Sequence, residues 1–247
     1  MRLTVYKQLF EFENNHWWVK GIRDLCITML SKYCSGNHKY ILDIGCGTGE
    51  LSRPLERLGC VFSADSSVLA LDFCKRRSLQ RLIRTSAEHP GFKNNSFSVV
   101  VAASLIEHLE KDELFFEEMH RVLKKNGYLI ILTSAFQFLW SRHDELSHHK
   151  RRYRLRFINE LMRRNQFSIK KISYTNCFLF PAILLVRVLQ KYFTFRGDSN
   201  RIFLLKSVRG QGSLNNIFYH ILRVESQILK HINFPYGVNI LCIGQKL

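Results

Sequence analysis

Four short runs dominate the hydrophobic pattern: YILDIG (40–45), CVFSAD (60–65), SVVVAAS (98–104) and GYLIILTS (127–134). They are almost continuously apolar and rich in β-branched residues instead of alternating, which predicts strands buried on both faces, as in a parallel sheet. Between them, apolar positions recur with a helical period over about 50–58, 67–78 and 111–124. The last of these begins acidic and ends in lysines, the arrangement a helix dipole favours. KKNGY, at 124–128, supplies a glycine stop before the next strand. An amphipathic helix over about 16–34, with Trp17, Trp18, Ile22, Leu25 and Leu30 on its apolar side, precedes the first strand. Strands and helices alternating at this spacing predict an α/β, doubly wound sheet whose ligands sit at the carboxyl ends of the strands.

Beyond Thr133 the texture changes. A polar loop, SRHDELSHHKRRY, leads to a helix at about 155–165 and a strand-like FSIKKISYT. An apolar helix (about 178–194), a basic glycine-containing connection to about 213, a helix at about 214–231 and a final strand GVNILCIGQK follow. This half is expected to supply two closing strands and an inserted helical cap. The chain then forms one domain over 1–247, with an N-terminal helical segment (1–36), a core (37–133) and a cap half (134–247). Its sheet is expected to be mostly parallel and seven-stranded.

Composition narrows the setting. With 46% hydrophobic and 23% charged residues the chain is an ordinary globular one. Its seven cysteines are odd in number and never spaced C-x-x-C, so no metal site and a reducing compartment are expected. The first residues lack the apolar core of a signal peptide, and the longest apolar stretch, 177–186, is ended by Arg187. A cytoplasmic protein is the expectation. The net charge of +17 is concentrated late: residues 151–247 hold 17 lysines and arginines against Glu160, Asp198 and Glu225. That field favours anionic partners: nucleic acid, an anionic membrane surface or a phosphorylated substrate.

The candidate chemistry begins at ILDIGCGTGELS (41–52), where Gly45, Gly47 and Gly49 alternate after a strand. In a G-x-G-x-x-G dinucleotide loop the third glycine would fall on Glu50, and no G-K-[ST] follows, so neither phosphate cradle matches. A nucleoside without phosphates but with a cationic centre suits Asp43 and Glu50 better. Asp65, ending the second strand, is placed to accept ribose hydroxyls. D-x-G-x-G-x-G followed by a strand ending in Asp resembles the class I S-adenosylmethionine-dependent methyltransferases, whose Rossmann-like fold agrees with the pattern above.

SAEHPGFKNNSFSVVVAASLIEHLEKDELFFEEMHRVLKKNGYLIIL is similar to the middle of the broad group that includes the ubiquinone- and menaquinone-biosynthesis enzymes. It departs where Ser86 stands for an adenine-binding Asp and Ser98 for a strand-start Asp. HWWVKGIR, the set His143, Asp144, His149, Arg151, Arg152 and Tyr153, and Pro235-Tyr236-Gly237 resemble a smaller subgroup. The resemblance implies S-adenosylmethionine as cofactor and S-adenosylhomocysteine as product. The implied cofactor residues are Asp43, Gly45, Cys46, Gly47, Gly49, Asp65, Ser66, Ala87, Glu88, Ser104, His108 and Trp18, with Asp43 at the amino-acid end.

For a hydroxyl acceptor, a base should remove the proton. The loop after the fifth strand offers His149 or His143 as that base and Asp144 to orient an imidazole. Arg151, Arg152 and the adjoining Tyr153 would hold an anionic part of the substrate. The alternative is a solvated basic loop whose Asp144 and arginines pair to pin the cap. Spacing there matches no metal motif. Trp17 and Trp18 are read as closing over the cofactor or substrate and Arg23 as meeting a carboxylate, or as plain core. FLFPAILLVRVLQKYFTFR reads as an interfacial helix, a pocket-lining cap or a dimer interface.

The leading expectation is O-methylation of a small or carrier- or lipid-linked anionic acceptor, such as a saccharide, lipid intermediate or natural product. Peripheral contact at the inner face of a membrane would accompany a lipid-linked acceptor. An RNA methyltransferase is the enzymatic rival, opposed by AASLIEHL in place of [DNS]-P-P-[YFW]. A non-catalytic nucleic-acid or membrane-binding module is the alternative of another class. A dehydrogenase is opposed by the missing third glycine.

Overall fold

A computed structural model describes residues 3–34, 40–195 and 213–247. The basic connection expected to lead to about 213 lies mostly outside the described residues.

The apolar runs become a seven-stranded sheet of order β3-β2-β1-β4-β5-β7-β6. Strands β1 (Tyr40–Ile44), β2 (Cys60–Asp65), β3 (Leu82–Arg84), β4 (Phe97–Ala103) and β5 (Leu123–Ser134) are parallel, while β7 (Asn239–Lys246) runs antiparallel between β5 and β6 (Phe167–Thr175). The chain builds outward from β1 to β3 and then returns to β4 on the other side of β1, so the strand order reverses there. The crevice this opens at the carboxyl ends is the place where such sheets bind ligands.

Successive strand residues feed two layers of core. Leu42, Ile44, Val100, Ala102, Leu129 and Ile131 pack under α5 (Asp112–Val122) and α7 (Leu155–Arg164). Ile41, Val99, Val101, Ile130 and Leu132 pack on the other side against Leu25, Cys26, Met29 and Leu30 of α2 (Trp17–Tyr33). Burial on both faces is why these strands read as unbroken apolar runs. His16 caps α2, its ring accepting the Trp18 N–H at 3.2 Å.

Several elements differ from the sequence expectation. The helix expected over 67–78 is α4 (Val68–Arg76), and that expected over 50–58 is regular only as α3 (Ser52–Leu55). Its continuation tightens into i→i+3 turns, Glu56 N–H to Arg53 O and Leu58 N–H to Leu55 O. The turn after α5 takes its left-handed residue at Asn126 (φ +62), not at Gly127. Gly127 is needed for closeness instead, since a Cβ there would stand 2.8 Å from Lys124 O. Helix α1 (Leu3–Glu13) lies in the expected N-terminal helical segment, but its bounds, the short edge strand β3 that completes the expected seven, and helix α6 (Arg142–Leu146) were not placed by the pattern.

Between β6 and β7 lie the cap helices α8 (Phe180–Phe195) and α9 (Ser213–Leu229). The buried Glu225 of α9 accepts the Asn176 and Phe178 N–H groups, which ties α9 to the turn that launches α8. Asn215 accepts the Trp17 N–H at 2.8 Å, and Gly21 lets Leu222 approach, so α2 and α9 lie against each other. Among the described residues, no helix is long and apolar enough to cross a membrane.

Gly237 enters β7 against the backbone of Thr175, where a Cβ would stand 2.9 Å from the Thr175 carbonyl carbon. We expect Gly237→Ala to cost about 1–3 kcal/mol through forced backbone displacement. Gly91→Ala, in open space at φ +65, should cost no more than about 1–2 kcal/mol of backbone strain. Chemical denaturation of both variants checks the order; a smaller loss at Gly237 than at Gly91 would contradict it.

Candidate active site

The crevice is built from three loops. The first follows β1: Gly45, Gly47 and Gly49 all have positive φ (+73, +54 and +82). A Cβ on Gly45 would strike Leu105, and one on Gly49 would strike Leu79 and Cys74, so these two are fixed by packing. A Cβ on Gly47 would meet nothing within 4 Å. Gly47 therefore presents bare backbone to open space, a place where a ligand can approach the main chain. Cys46 turns the other way, its thiol 3.8 Å from Cys74 in a small core with Leu71 and Leu79; only its backbone belongs to the crevice wall.

The second loop follows β2. The Asp65 carboxylate accepts the Gly47 N–H at 3.0 Å and the Ser67 N–H at 2.8 Å, so it binds the β1 loop to the β2 loop. Burial raises its pKa, opposed by these N–H groups. Ser66 beside it is exposed. Asp43 is buried at the end of β1 and accepts the Ser52 hydroxyl at 2.5 Å. Burial pushes its carboxyl up to about 7; Ser52 opposes the shift and Asp65 adds to it. Desolvation disfavours the charge on both carboxyls, and a cation brought into the crevice would favour their ionised forms and pair with them.

Glu50, whose charge the sequence set against a phosphate, is paired at 2.8 Å with both Arg23 and Arg77. The negative field therefore belongs to Asp43 and Asp65. Arg23, expected to meet a carboxylate, meets two of this chain's own, Glu50 and Asp24. The buried Arg77 also donates to Thr48 O (2.9 Å), Asn14 (2.9 Å) and Glu13 (3.2 Å). It thereby straps the end of α1 to the glycine loop. Tyr6 of α1 packs near Phe73. Tyr6, Glu13 and Arg77 escaped the sequence reading; the Tyr6/Phe10 spacing of one helical turn was the available signal.

On the adenine side expected from the sequence, Ala87 is buried, and the Glu88 carboxylate accepts the Lys111 N–H at 2.8 Å at the start of α5. Ser104 ends β4 at φ +52, with its N–H on Leu132 O. Trp17 packs with Leu179, Leu222 and Phe218, with Trp18 edge-on to it at 5.5 Å, in the contact between α2 and the cap.

The third group is the loop after β5. Asp144 is fully buried, and its carboxylate receives Arg152 Nε (2.8 Å) and Nη2 (3.1 Å), the Ser141 N–H (2.9 Å) and Ser141 Oγ (3.1 Å). His149 Nδ1 lies 2.8 Å from Asp144 Oδ1. Burial alone would raise the Asp144 pKa, but His149 and Arg152 hold it well below the carboxylate range. The rings of His149 and His108 meet edge to face at 4.8 Å. Burial lowers the His108 pKa, partly offset by Glu107. The sequence thus brings His108, Asp144 and His149 together; the side chain of His143 lies outside the described residues.

The arginines expected to hold substrate are engaged within the chain. Arg152 serves Asp144 and Ala135 O (3.0 Å). Arg151, beside a surface groove of about 560 Å³ between α5 and α7, donates to Asp112 at 3.1 Å and to Glu110 O at 3.2 Å. The buried Tyr153 donates to Ile106 O or Asp112, each at 3.0 Å. These bonds are the pinning arrangement weighed beside the substrate role. Above them, Phe136 stacks on Tyr174 at 4.7 Å and stands 6.3 Å from Phe180 of α8, an aromatic wall the sequence did not disclose.

Residues 42–131 match the model of a methyltransferase domain family. A ubiquinone biosynthesis O-methyltransferase of Bartonella bacilliformis is 32% identical over 99 residues, 38% of this chain and 40% of that protein. The chain spans about two fifths of the length of the curated relatives it matches. Among solved structures, an S-adenosylmethionine-dependent methyltransferase of Thermotoga maritima is similar over 99% of this chain and 95% of its own, with a TM-score of 0.61 at 16% identity. Haemonchus contortus phosphoethanolamine N-methyltransferase 2, solved with S-adenosyl-L-methionine, matches 90% of this chain and 52% of its own, with a TM-score of 0.58 at 18% identity. At these identities the solved structures establish the fold.

Asp43 yields a pH signature. Its ordinary pKa is 3.8 and its folded value about 7, so between these the folded state holds more protons than the unfolded one. Its contribution to stability therefore falls as pH rises from about 4 to about 7 and is flat beyond, by an amount on the order of a few kcal/mol. Asp43→Asn should raise the melting temperature at pH 8 and change it far less at pH 5. An equal effect at both pH values would contradict the assignment.

Proposed function

We propose that this chain, which carries a class I S-adenosylmethionine-dependent methyltransferase domain, transfers a methyl group to an oxygen of a small or carrier-linked anionic acceptor. The carrying observation is the Asp65 carboxylate bound to the Gly47 N–H beside open space above Gly47. Each Asp65 oxygen accepts one backbone N–H and keeps acceptor capacity for a ribose hydroxyl. The bare Gly47 backbone gives a nucleoside close approach, Ala87 gives the base an apolar wall, and the Asp43–Asp65 field favours a cationic ligand. S-adenosylmethionine, when bound, supplies an electrophilic methyl on a positive sulfur. The lack of a phosphate cradle agrees with that ligand and disfavours a dinucleotide.

The chain's contribution to the chemistry is orientation, exclusion of water and removal of one proton. Asp144, held ionised by Arg152, binds His149 at Nδ1 and selects the tautomer whose lone pair is on Nε2. His149 is thus the base we assign, in preference to His143, and Asp144 its orienting residue. His108 stands at the mouth between the cofactor crevice and this pair. RNA as acceptor is the competing reading, supported by the net charge of +17.

A radiolabelled methyl-transfer screen over lipid, saccharide and RNA fractions tests the reading. Incorporation into a saccharide or lipid fraction supports it, and incorporation into RNA alone replaces it. His149→Gln should bind S-adenosylhomocysteine as the parent does and lose about 10²–10⁴-fold in transfer rate. Full turnover in that variant would remove the base assignment.

A peripheral membrane contact is favoured by one observation: Leu185, Val188 and Leu189 of α8 are exposed by 59%, 55% and 44%. They form an outward apolar stripe on a strongly basic chain. Flotation with anionic liposomes should carry the protein upward, and Leu185→Asp/Val188→Asp should abolish it. A parent protein that stays at the bottom of the gradient ends this reading.

A further inference from the structure

Helix α8 turns apolar side chains outward and a cation inward. Pro181, Ala182, Leu185, Val188 and Leu189 face outward and are exposed, whereas Arg187 is half-buried. Phe180, two turns before Arg187 on the same side, faces Phe136, and Ile183 packs into the cluster of Trp17, Leu179 and Leu222. An arginine on a surface helix ordinarily reaches for water with its long arm. This one points into the protein, where losing hydration is unfavourable unless a counter-charge arrives.

Its only bonding partner among the described residues is the Ser141 hydroxyl, to which Nη1 donates. No carboxylate lies within 4 Å of it among those residues. Among the described residues the charges acting on its guanidinium are Arg152 and Asp144, and Asp144 is already bonded to Arg152, His149 and Ser141. One carboxylate thus faces two guanidiniums, and a positive charge is left over. Burial and the Arg152 repulsion accordingly lower the Arg187 pKa, with Asp144 opposing.

We propose that Arg187 is the anion-binding residue of the acceptor pocket, receiving a phosphate or carboxylate of the molecule that is methylated, beside the Phe136/Tyr174/Phe180 wall. The assignment rests on the methyltransferase reading of the same pocket. It moves the anion from Arg151 and Arg152, which the chain uses internally, to a guanidinium that meets no carboxylate among the described residues. Because Ser141 bonds both Arg187 and Asp144, the anion would dock one side chain from the His149–Asp144 pair. That distance suits an acceptor whose hydroxyl and anionic group lie close together. A guanidinium fork binds either oxyanion through two parallel N–H···O bonds.

The full-length protein, saturated with S-adenosylhomocysteine, is titrated calorimetrically with inorganic phosphate and, separately, with benzoate. The parent should bind at least one of them at one site, and which one it prefers separates a phosphate from a carboxylate acceptor. Arg187→Gln should weaken that binding at least about tenfold with S-adenosylhomocysteine affinity unchanged. Arg187→Lys, a point charge without the fork, should restore part of it. Equal anion binding by the parent and Arg187→Gln overturns the proposal, as does a parent that binds neither anion. A lower melting temperature in Arg187→Gln with undiminished anion binding assigns Arg187 to bracing the Ser141 loop instead. A parent that fails to bind S-adenosylhomocysteine sinks the methyltransferase reading itself, a result distinct from loss of the anion.

Discussion

The hydrogen bond from the Gly47 N–H to the Asp65 carboxylate is the contact on which the arrangement turns. It joins the loop after β1 to the loop after β2 across the crevice opened by the sheet's reversal of strand order. A half-buried carboxylate at that point is unfavourable unless it is hydrogen-bonded. Gly47 and Ser67 supply the donors, and the same bonds hold the glycine loop in its positive-φ shape. Asp65 therefore shapes the loop that the ligand must meet and contributes half of the field that attracts a cation.

Around that contact the chain spends its charges in pairs. Arg77 gathers Glu13, Glu50 and Thr48, and so draws α1 over the glycine loop. Arg152 and His149 gather on Asp144. Once these pairs are removed, the described part of the site holds two uncompensated features, the Asp43–Asp65 carboxyls at the strand ends and Arg187 under the cap. An anionic end beside a cationic end fits a sulfonium donor on one side and an anionic acceptor on the other. The fold's contribution is to keep these two charges from meeting.

Much of the fold was legible because its signals are local. Strands β1, β2, β4 and β5 announce themselves as unbroken apolar runs, a consequence of burial on both faces, and β6 fell where FSIKKISYT placed it. The bounds of helix α1 were not legible because its apolar residues Tyr6 and Phe10 find their partner in Phe73, more than 60 positions away. Strand β3 is three residues long and exists through its pairing with β2. In the site, the glycines and Asp65 could be picked out by residue type and spacing, and Asp144 with an imidazole beside it by resemblance, whereas the choice of His149 over His143 as its partner came from the fold. The fates of Arg151, Arg152 and Arg187 could not, since sequence shows that a residue is cationic but not which carboxylate it reaches in the folded chain.

The most direct test is a crystal structure of the protein soaked with S-adenosylhomocysteine. The account predicts the ribose hydroxyls within hydrogen-bonding distance of Asp65 and the nucleoside lying along the backbone of Gly47. An empty crevice at saturating ligand, or the nucleoside lodged elsewhere in the molecule, would contradict it.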